Sequence, residues 1–364
     1  MNYRIDPSLR EPLYIQLYNG LRRDIVSGVY PYGSRLPSKR MLAEETGVSV
    51  ITAEHAAALL CEEGYAESRQ RSGCFVVYRR GDFQGEPAAA PERAVPAARP
   101  HGAGEFPYSV LARTMRRVLL DYGERILVKS PNHGCPELRA EICAYLARSR
   151  AITVKPSQVI IGSGAEYLYG LIAQLMERRI VALESPSYDK IQKVYESFGI
   201  SCELLPLRAD GIASADLNGT GADVLHVTPF HSYPSGVTVS VSRKIEYLRW
   251  AERRGGVIIE DNYDSELTVS RKAEDSLFAM SGGRYVIYVN TFSRTVAPSM
   301  RIGYMILPED MTGAFNRRLG FYSCTVPVFE QYVLAELLRS GDFEKHVNRV
   351  RRRRRKQLGG GRGL

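Results

Sequence analysis

No stretch of the sequence reaches the roughly eighteen consecutive apolar residues that a membrane-spanning helix needs, so no such span is expected. The opening MNYRIDPSLREP has no apolar segment behind a basic start, which argues against a secretory signal and for a cytoplasmic location. Cysteine is scattered: Cys61, Cys74, Cys135, Cys143, Cys202 and Cys324 form no Cys-x-x-Cys pair, which fits reduced intracellular thiols better than a disulfide frame or a zinc site. No metal is expected. A broad basic field is missing too. Residues 345–364 hold nine of the 49 Lys and Arg and no acid, which leaves 40 basic against 40 acidic residues elsewhere. Any DNA binding must therefore rest on a local motif and its geometry.

What is present divides the 364 residues into two domains of unequal size. Residues 1–78 form the first. PLYIQLYNGLRRDIVSG carries Leu13, Leu17, Leu21 and Ile25 at four-residue spacing, an amphipathic helix that Gly28 closes. Ser38 can cap a short helix ending at Gly47, and Ser49 a second ending at Gly64. The runs YAES and CFVV around RQRSG then read as a two-stranded wing. Residues 79–105 are rich in Pro, Ala and Gly without hydrophobic period, which makes them a linker long enough for domains to exchange partners within a dimer.

From Phe106 short apolar runs alternate with helical stripes. VIIGSG, IVALES, CELLPL, VLHVTP, GVIIEDNY, YVIYVN and RIGYMIL are the strand candidates, and the alternation predicts an α/β domain with a largely parallel sheet over residues 106–350. Ligands of such a sheet lie at the carboxyl ends of its strands.

The segments LPSKRMLAEETGVSVITAEHAAALLCEEGY and SGCFVV resemble the winged helix-turn-helix domain of the GntR family of bacterial regulators. The resemblance implies a second helix that enters the major groove by its first turn and a wing that reaches backbone or minor groove. Carried onto this sequence, it places Ser49 and Thr52 at the groove, Ser38, Lys39 and Arg40 at phosphates, and Arg69, Arg71 and Gly73 in the wing. The second helix departs from a basic reader: it offers Val50, Glu54 and His55 rather than arginine, so few bidentate guanine contacts are expected.

The order GCPELRAEICAYLA, IIGSGAEYLYG, ESPSY, TPFHSYPSG, IIEDNYDSEL, TFSR and APSMRIGY resembles the aminotransferase-like domain of fold type I pyridoxal-phosphate proteins, in the form carried by the MocR/GabR-like subfamily of GntR regulators. The implied cofactor is pyridoxal phosphate. Gly164, Ala165 and Glu166 open a helix whose backbone N–H groups suit a phosphate. Tyr188 resembles the aromatic that stacks on the pyridine ring, and alone would read as a packing tyrosine. Asp261 ends a strand where a carboxylate would hold the pyridinium proton, and Tyr263 resembles the tyrosine that bonds the ring 3-oxygen. Arg301 resembles the arginine that clamps the phosphate; the plainer reading of Asp261 and Arg301 is a buried ion pair.

Two features depart from that family. At Arg294, within TFS-x-T, the family carries the Schiff-base lysine. A guanidinium stays protonated and its lone pairs are delocalised, so it supplies neither the nucleophile nor the tunable base, and no catalytic residue is assigned. Lys190 and Lys193 are the nearest lysines to the motifs, with no reason to face the cofactor. Secondly, the family domain continues into a small C-terminal subdomain, whereas apolar periodicity here stops at Val350 and RRRRRKQLGGGRGL follows, read as a basic Gly-rich tail over residues 351–364. Either this tail is native and adds affinity for phosphates, or a frame change or premature stop removed the true end; the missing lobe favours the second.

The expectation is therefore a truncated fold type I α/β domain behind a winged helix-turn-helix, acting as a DNA-binding transcription regulator. Its degenerate sensor domain would hold pyridoxal phosphate noncovalently at best, and with it an amino compound as effector. The resemblance implies a double-stranded operator and a head-to-tail homodimer. The rival reading is a working aminotransferase with an accessory DNA-binding domain, against which Arg294 speaks.

Overall fold

The computed structural model describes residues 3, 5–9, 11–69, 72–79, 106–177, 179–268 and 275–360, the side chains of 358–360 excepted. Arg71 and nearly all of the linker lie outside these residues. The chain divides into two compact units, Met1–Ala98 and Arg99–Leu364, with the division inside the Pro/Ala/Gly-rich stretch.

In the first unit, helix α1 (Leu13–Ser27) is followed by α2 (Lys39–Thr46), α3 (Val50–Glu62) and the antiparallel pair β1 (Ala66–Arg69) and β2 (Gly73–Val76). The stripe on α1 puts Leu17, Leu21 and Ile25 into the core beside Leu42, Ala53, Ala56 and Leu60, while Leu13 is only half buried. Capping sets the boundaries. Ser38 Oγ accepts from the Met41 N–H at 3.2 Å and Ser49 Oγ from the Thr52 N–H at 3.1 Å, satisfying donors that a helix start leaves over. Gly47 takes the left-handed conformation that ends α2.

The second unit opens with α4 (Tyr108–Tyr122) and α5 (Pro136–Arg150), then alternates β3 (Val159–Gly162), α6 (Ala165–Met176), β4 (Val181–Ser185), α7 (Asp189–Ser197) and β5 (Cys202–Arg208). It continues with β6 (Gly211–Ile212), α8 (Ser214–Gly219), β7 (Val224–Val227), α9 (Val241–Arg254), β8 (Val257–Asp261), α10 (Leu277–Met280), β9 (Val286–Thr291) and β10 (Gly303–Ile306). Three helices, α11 (Glu309–Leu319), α12 (Val328–Arg339) and α13 (Asp342–Gly360), complete it.

The sheet order is β3-β10-β9-β8-β7-β4-β5-β6, parallel from β9 to β5, with β10 antiparallel to β3 and β9. Neighbouring strand residues go to opposite cores. Ile161, Leu225, Ile258 and Tyr288 pack on one face, while Ile160, Val224, Ile259 and Ile287 pack on the other. A sheet buried on both faces reads as a run of apolar residues, which is why seven short runs sufficed to locate its main strands. The two-residue β6 had no such run.

The predicted tail is corrected in part: helix continues from Asp342 through Gly360 rather than giving way to an unstructured segment at residue 351. Phe343, Val347 and Val350 bury one face. The next residues on that face are arginines that use their head groups instead: Arg351 Nε donates to the Glu266 carbonyl at 2.6 Å and Arg354 Nη1 to the Leu267 carbonyl at 3.0 Å. Sequence periodicity counts an arginine as solvated, so this docking was invisible to it. No helix among the described residues is long and apolar enough to cross a membrane.

Candidate functional site

The carboxyl ends of the central strands open onto a cavity of about 320 Å³ in the second unit. Its wall brings together Ala165 and Glu166 at the start of α6, Tyr188 before α7, and Asp261 at the end of β8. Tyr263 and Arg301 line it as well, together with Arg294, whereas Gly164, expected beside Ala165 and Glu166, is not part of the wall. None of the described residues that line it is a lysine.

Asp261 sits at the floor, 3% exposed, and its Oδ2 accepts the hydroxyl proton of Tyr169 from α6. His226 of β7 places Nε2 4.0 Å from the same oxygen, while its Nδ1 lies 2.8 Å from the Tyr195 hydroxyl. Burial and the neighbouring Asp261 push the Tyr169 phenol well above its ordinary pKa, so it remains a donor to the carboxylate. Tyr169, His226 and Tyr195 were not singled out from sequence. They come from separate elements, and only strand order brings them behind Asp261. Asp261 and Arg301 are not partners: Arg301 Nη2 lies 2.6 Å from Glu166 Oε2, so the ion-pair reading of those two residues is corrected.

The start of α6 also differs from expectation in one donor. Gly164 directs its N–H to the Gly162 carbonyl at 2.9 Å, which leaves the N–H groups of Ala165 and Glu166 at the helix end. Gly164 has a second purpose. Its φ is +100°, and a Cβ built there would lie 2.8 Å from Arg301 Nη2, so glycine both permits the turn and admits the guanidinium. Tyr263 donates its hydroxyl to the His231 carbonyl at 3.0 Å and keeps an acceptor lone pair toward the cavity; burial, aided by Asp264, pushes its phenol up to about 12.

Arg294 stands in the wall with its guanidinium carbon 5.4 Å from the Tyr263 ring centroid and Nε 3.4 Å from Asp264 Oδ1. Of the two nearby lysines, one reaches the rim of the cavity and the other pairs outside it. Lys190 Nζ lies 3.3 Å from Glu166 Oε1, and Lys193 pairs with Asp189 at 2.6 Å. Deep beside the floor, Glu184 at the end of β4 accepts from Ser232, and burial raises its carboxyl to about 7.

In the first unit, Ser38, Lys39, Arg40, Arg69 and Gly73 line one groove between α2, α3 and the wing. Ser49 and Thr52 are joined hydroxyl to hydroxyl at 2.9 Å at the start of α3. Lys39 forms an ion pair with Glu54 of α3, and Arg69 lies 4.7 Å over the Phe75 ring. Arg35 joins this groove unannounced by sequence, lying against Gly73, whose missing Cβ leaves it room. Val50 and Ile51 at the start of α3 are 46% and 67% exposed. Among the described residues no three His, Cys, Asp or Glu side chains converge as a metal site.

Residues 13–76 match the gntR family of bacterial regulatory proteins, and residues 101–358 match aminotransferase class I and II. The uncharacterized HTH-type transcriptional regulator YdeL of Bacillus subtilis is 33% identical over 97% of this chain and 79% of its own length. The probable rhizopine catabolism regulatory protein MocR of Rhizobium meliloti is 30% identical over 96% of this chain and 76% of its own. Among solved structures, LysN, the α-aminoadipate aminotransferase of Thermus thermophilus complexed with N-(5'-phosphopyridoxyl)-L-leucine, superposes with a TM-score of 0.61 at 26% identity. That match covers 69% of this chain and 66% of the enzyme, just under two thirds of its length. Two family models matched in this order, together with relatives aligned along nearly the whole sequence, place the chain in the MocR-type regulators of the gntR family, in which a winged helix-turn-helix precedes an aminotransferase-like domain.

Proposed function

We propose that this regulator binds operator DNA through its first unit and senses pyridoxal phosphate, held without a covalent bond, through the cavity of its second. The observation that carries the reading is the cavity wall itself: a carboxylate floor, an arginine at a helix start, an aromatic side and no lysine among the described residues.

The residues present fit the cofactor. A volume of about 320 Å³ is at the lower end of small-ligand sites. The buried Asp261 carboxylate, held by the Tyr169 hydroxyl, suits a protonated pyridine nitrogen. Arg301 with the N–H groups of Ala165 and Glu166 suits the phosphate, and the Tyr188 ring supplies a stacking face. When bound, pyridoxal phosphate supplies an aldehyde beside an electron-poor ring. Arg294 can donate N–H bonds to an oxygen but cannot condense with that carbon, because its nitrogens are permanently charged and conjugated. Binding without turnover is the consequence. An amino compound as effector and a head-to-tail homodimer are part of the same proposal, supported by the family's architecture and by the length of the segment over residues 79–105.

In such a regulator the ligand acts by linkage: it shifts DNA binding only by its difference in affinity for the DNA-competent and other states. Selection of duplexes from a random pool, run with and without pyridoxal phosphate, tests both units together. Enrichment that changes with the cofactor is expected. No enrichment in either arm overturns the regulator reading, and a cofactor fixed by borohydride to any lysine of the wild-type chain overturns the noncovalent one.

A further inference from the structure

We propose that Glu166 decides which anions the second unit's cavity admits: its carboxylate fills the anion subsite of the free protein, and a phosphorylated ligand enters by displacing it. The identity of the ligand rests on the sensor reading above; the subsite and its plug do not.

Three relationships carry this. First, the Glu166 carboxylate holds both side-chain cations at the start of α6, with Oε2 2.6 Å from Arg301 Nη2 and Oε1 3.3 Å from Lys190 Nζ. Its own backbone N–H joins them. One carboxylate thus uses the donors that an incoming phosphate would need. Secondly, the backbone leaves Arg301 room at that position: Gly164 has no side chain where a Cβ would lie 2.8 Å from Arg301 Nη2, and the Glu166 carboxylate pairs with the guanidinium there. Thirdly, with the carboxylate in place the charges balance for a singly charged anion and not for a doubly charged one. Two cations against one carboxylate leave about one positive charge, whereas a phosphate monoester carries about −1.5 to −2 at neutral pH. Partial burial opposes ionisation of Glu166, but its own N–H, Arg301 and Lys190 outweigh this and hold its carboxyl below the ordinary value, so the plug is anionic at neutral pH.

Displacement has a structural result as well. The Glu166–Lys190 contact joins the first turns of α6 and α7, so a ligand that expels the carboxylate also removes the ion pair between these two helices. A phosphate-free pyridoxal has no reason to disturb them.

Calorimetric titration of the full chain with inorganic phosphate, pyridoxal phosphate and pyridoxal tests the proposal. In E166Q, and in E166A as a second variant, Kd for phosphate and for pyridoxal phosphate is expected to fall about tenfold, with pyridoxal unchanged. R301Q should abolish phosphate binding in either background. If both Glu166 variants melt like wild type yet bind phosphate equally or more weakly, Glu166 is a positioning residue for Arg301 and the plug is overturned; absence of phosphate binding in every form overturns it too. Tighter phosphate binding by E166Q without any binding of pyridoxal phosphate upholds the plug and removes the sensor reading.

Discussion

Arg294 and Asp264 form a contact of 3.4 Å between Nε and Oδ1, and the other oxygen of that carboxylate lies 3.7 Å from Arg354 Nη1. Asp264 itself is 4% exposed. A single buried carboxylate therefore stands between Arg294 and helix α13. Its charge is tolerable there because two guanidinium groups neutralise it; an unpaired carboxylate at that depth would be strongly unfavourable. The arginine-rich end of α13 is thus coupled to the cavity wall, not appended to it.

Removal of the charge with D264N should show that coupling. Breaking a buried ion pair costs about 3–5 kcal/mol when both partners are buried, and Arg294 is nearly half exposed, so about 1–2 kcal/mol is expected. For a domain of this size that corresponds to a loss of roughly 2–8 °C in the melting temperature. Combined with R294A the losses should be less than additive. Additive losses, measured by calorimetric melts of the four forms, would mean that the two side chains do not share their energy.

Much of this arrangement was readable beforehand, and the reasons are local. The helices of the first unit announce themselves by a four-residue stripe and by Ser38 and Ser49 as caps, both of which act within a turn. Most of the cavity residues were readable because they end or follow a strand whose end faces the ligand side; Arg301, just before β10, was readable only from its motif. What stayed hidden depends on side chains meeting across elements. Gly164 spends its N–H on Gly162, Tyr169 and His226 gather behind Asp261, and Arg351 reaches a backbone carbonyl 85 residues away. A one-dimensional pattern carries no information on such partners.

Placing an amine at residue 294 with R294K should convert the cavity into one that holds pyridoxal phosphate covalently. The wild-type guanidinium cannot attack an aldehyde, whereas a lysine at that place can, through the fraction of its amine that is unprotonated. After incubation with pyridoxal phosphate and borohydride, peptide mass mapping should find the added phosphopyridoxyl mass on residue 294 of the variant and on no lysine of the wild type. Equal labelling of both proteins at Lys190 or Lys193 would place the reactive amine elsewhere.

Glu184 predicts a pH dependence with a defined sign. Burial raises its carboxyl from the ordinary 4.5 to about 7 in the folded chain. The folded state therefore binds this proton more tightly than the unfolded state does. Its contribution to stability is complete below about pH 4.5 and is lost as pH rises through about 7. E184Q carries no proton to lose, so the variant should compare better with wild type at pH 8 than at pH 5. Melting curves at the two pH values decide the matter, and an identical difference at both would show that Glu184 ionises in the fold as easily as outside it.

The start of α3 predicts how the operator is read. No arginine is offered there; Lys39, which reaches α3, is paired with Glu54, while Val50 and Ile51 stand 46% and 67% exposed beside the Ser49–Thr52 cap. Exposed β-branched side chains at the groove end of a recognition helix match the C5 methyl of thymine, the apolar feature of the major groove. Affinity should therefore depend on thymine methyls more than on guanine edges. Replacing single thymines of the selected operator by uracil is expected to weaken binding by about 1 kcal/mol at one or two positions, and Ile51→Ala should cost a similar amount there while leaving the uracil-substituted duplex unaffected. Fluorescence anisotropy at fixed salt measures all four combinations. If uracil is tolerated at every position, Val50 and Ile51 do not touch bases and the sequence is read from the wing or from the shape of the duplex.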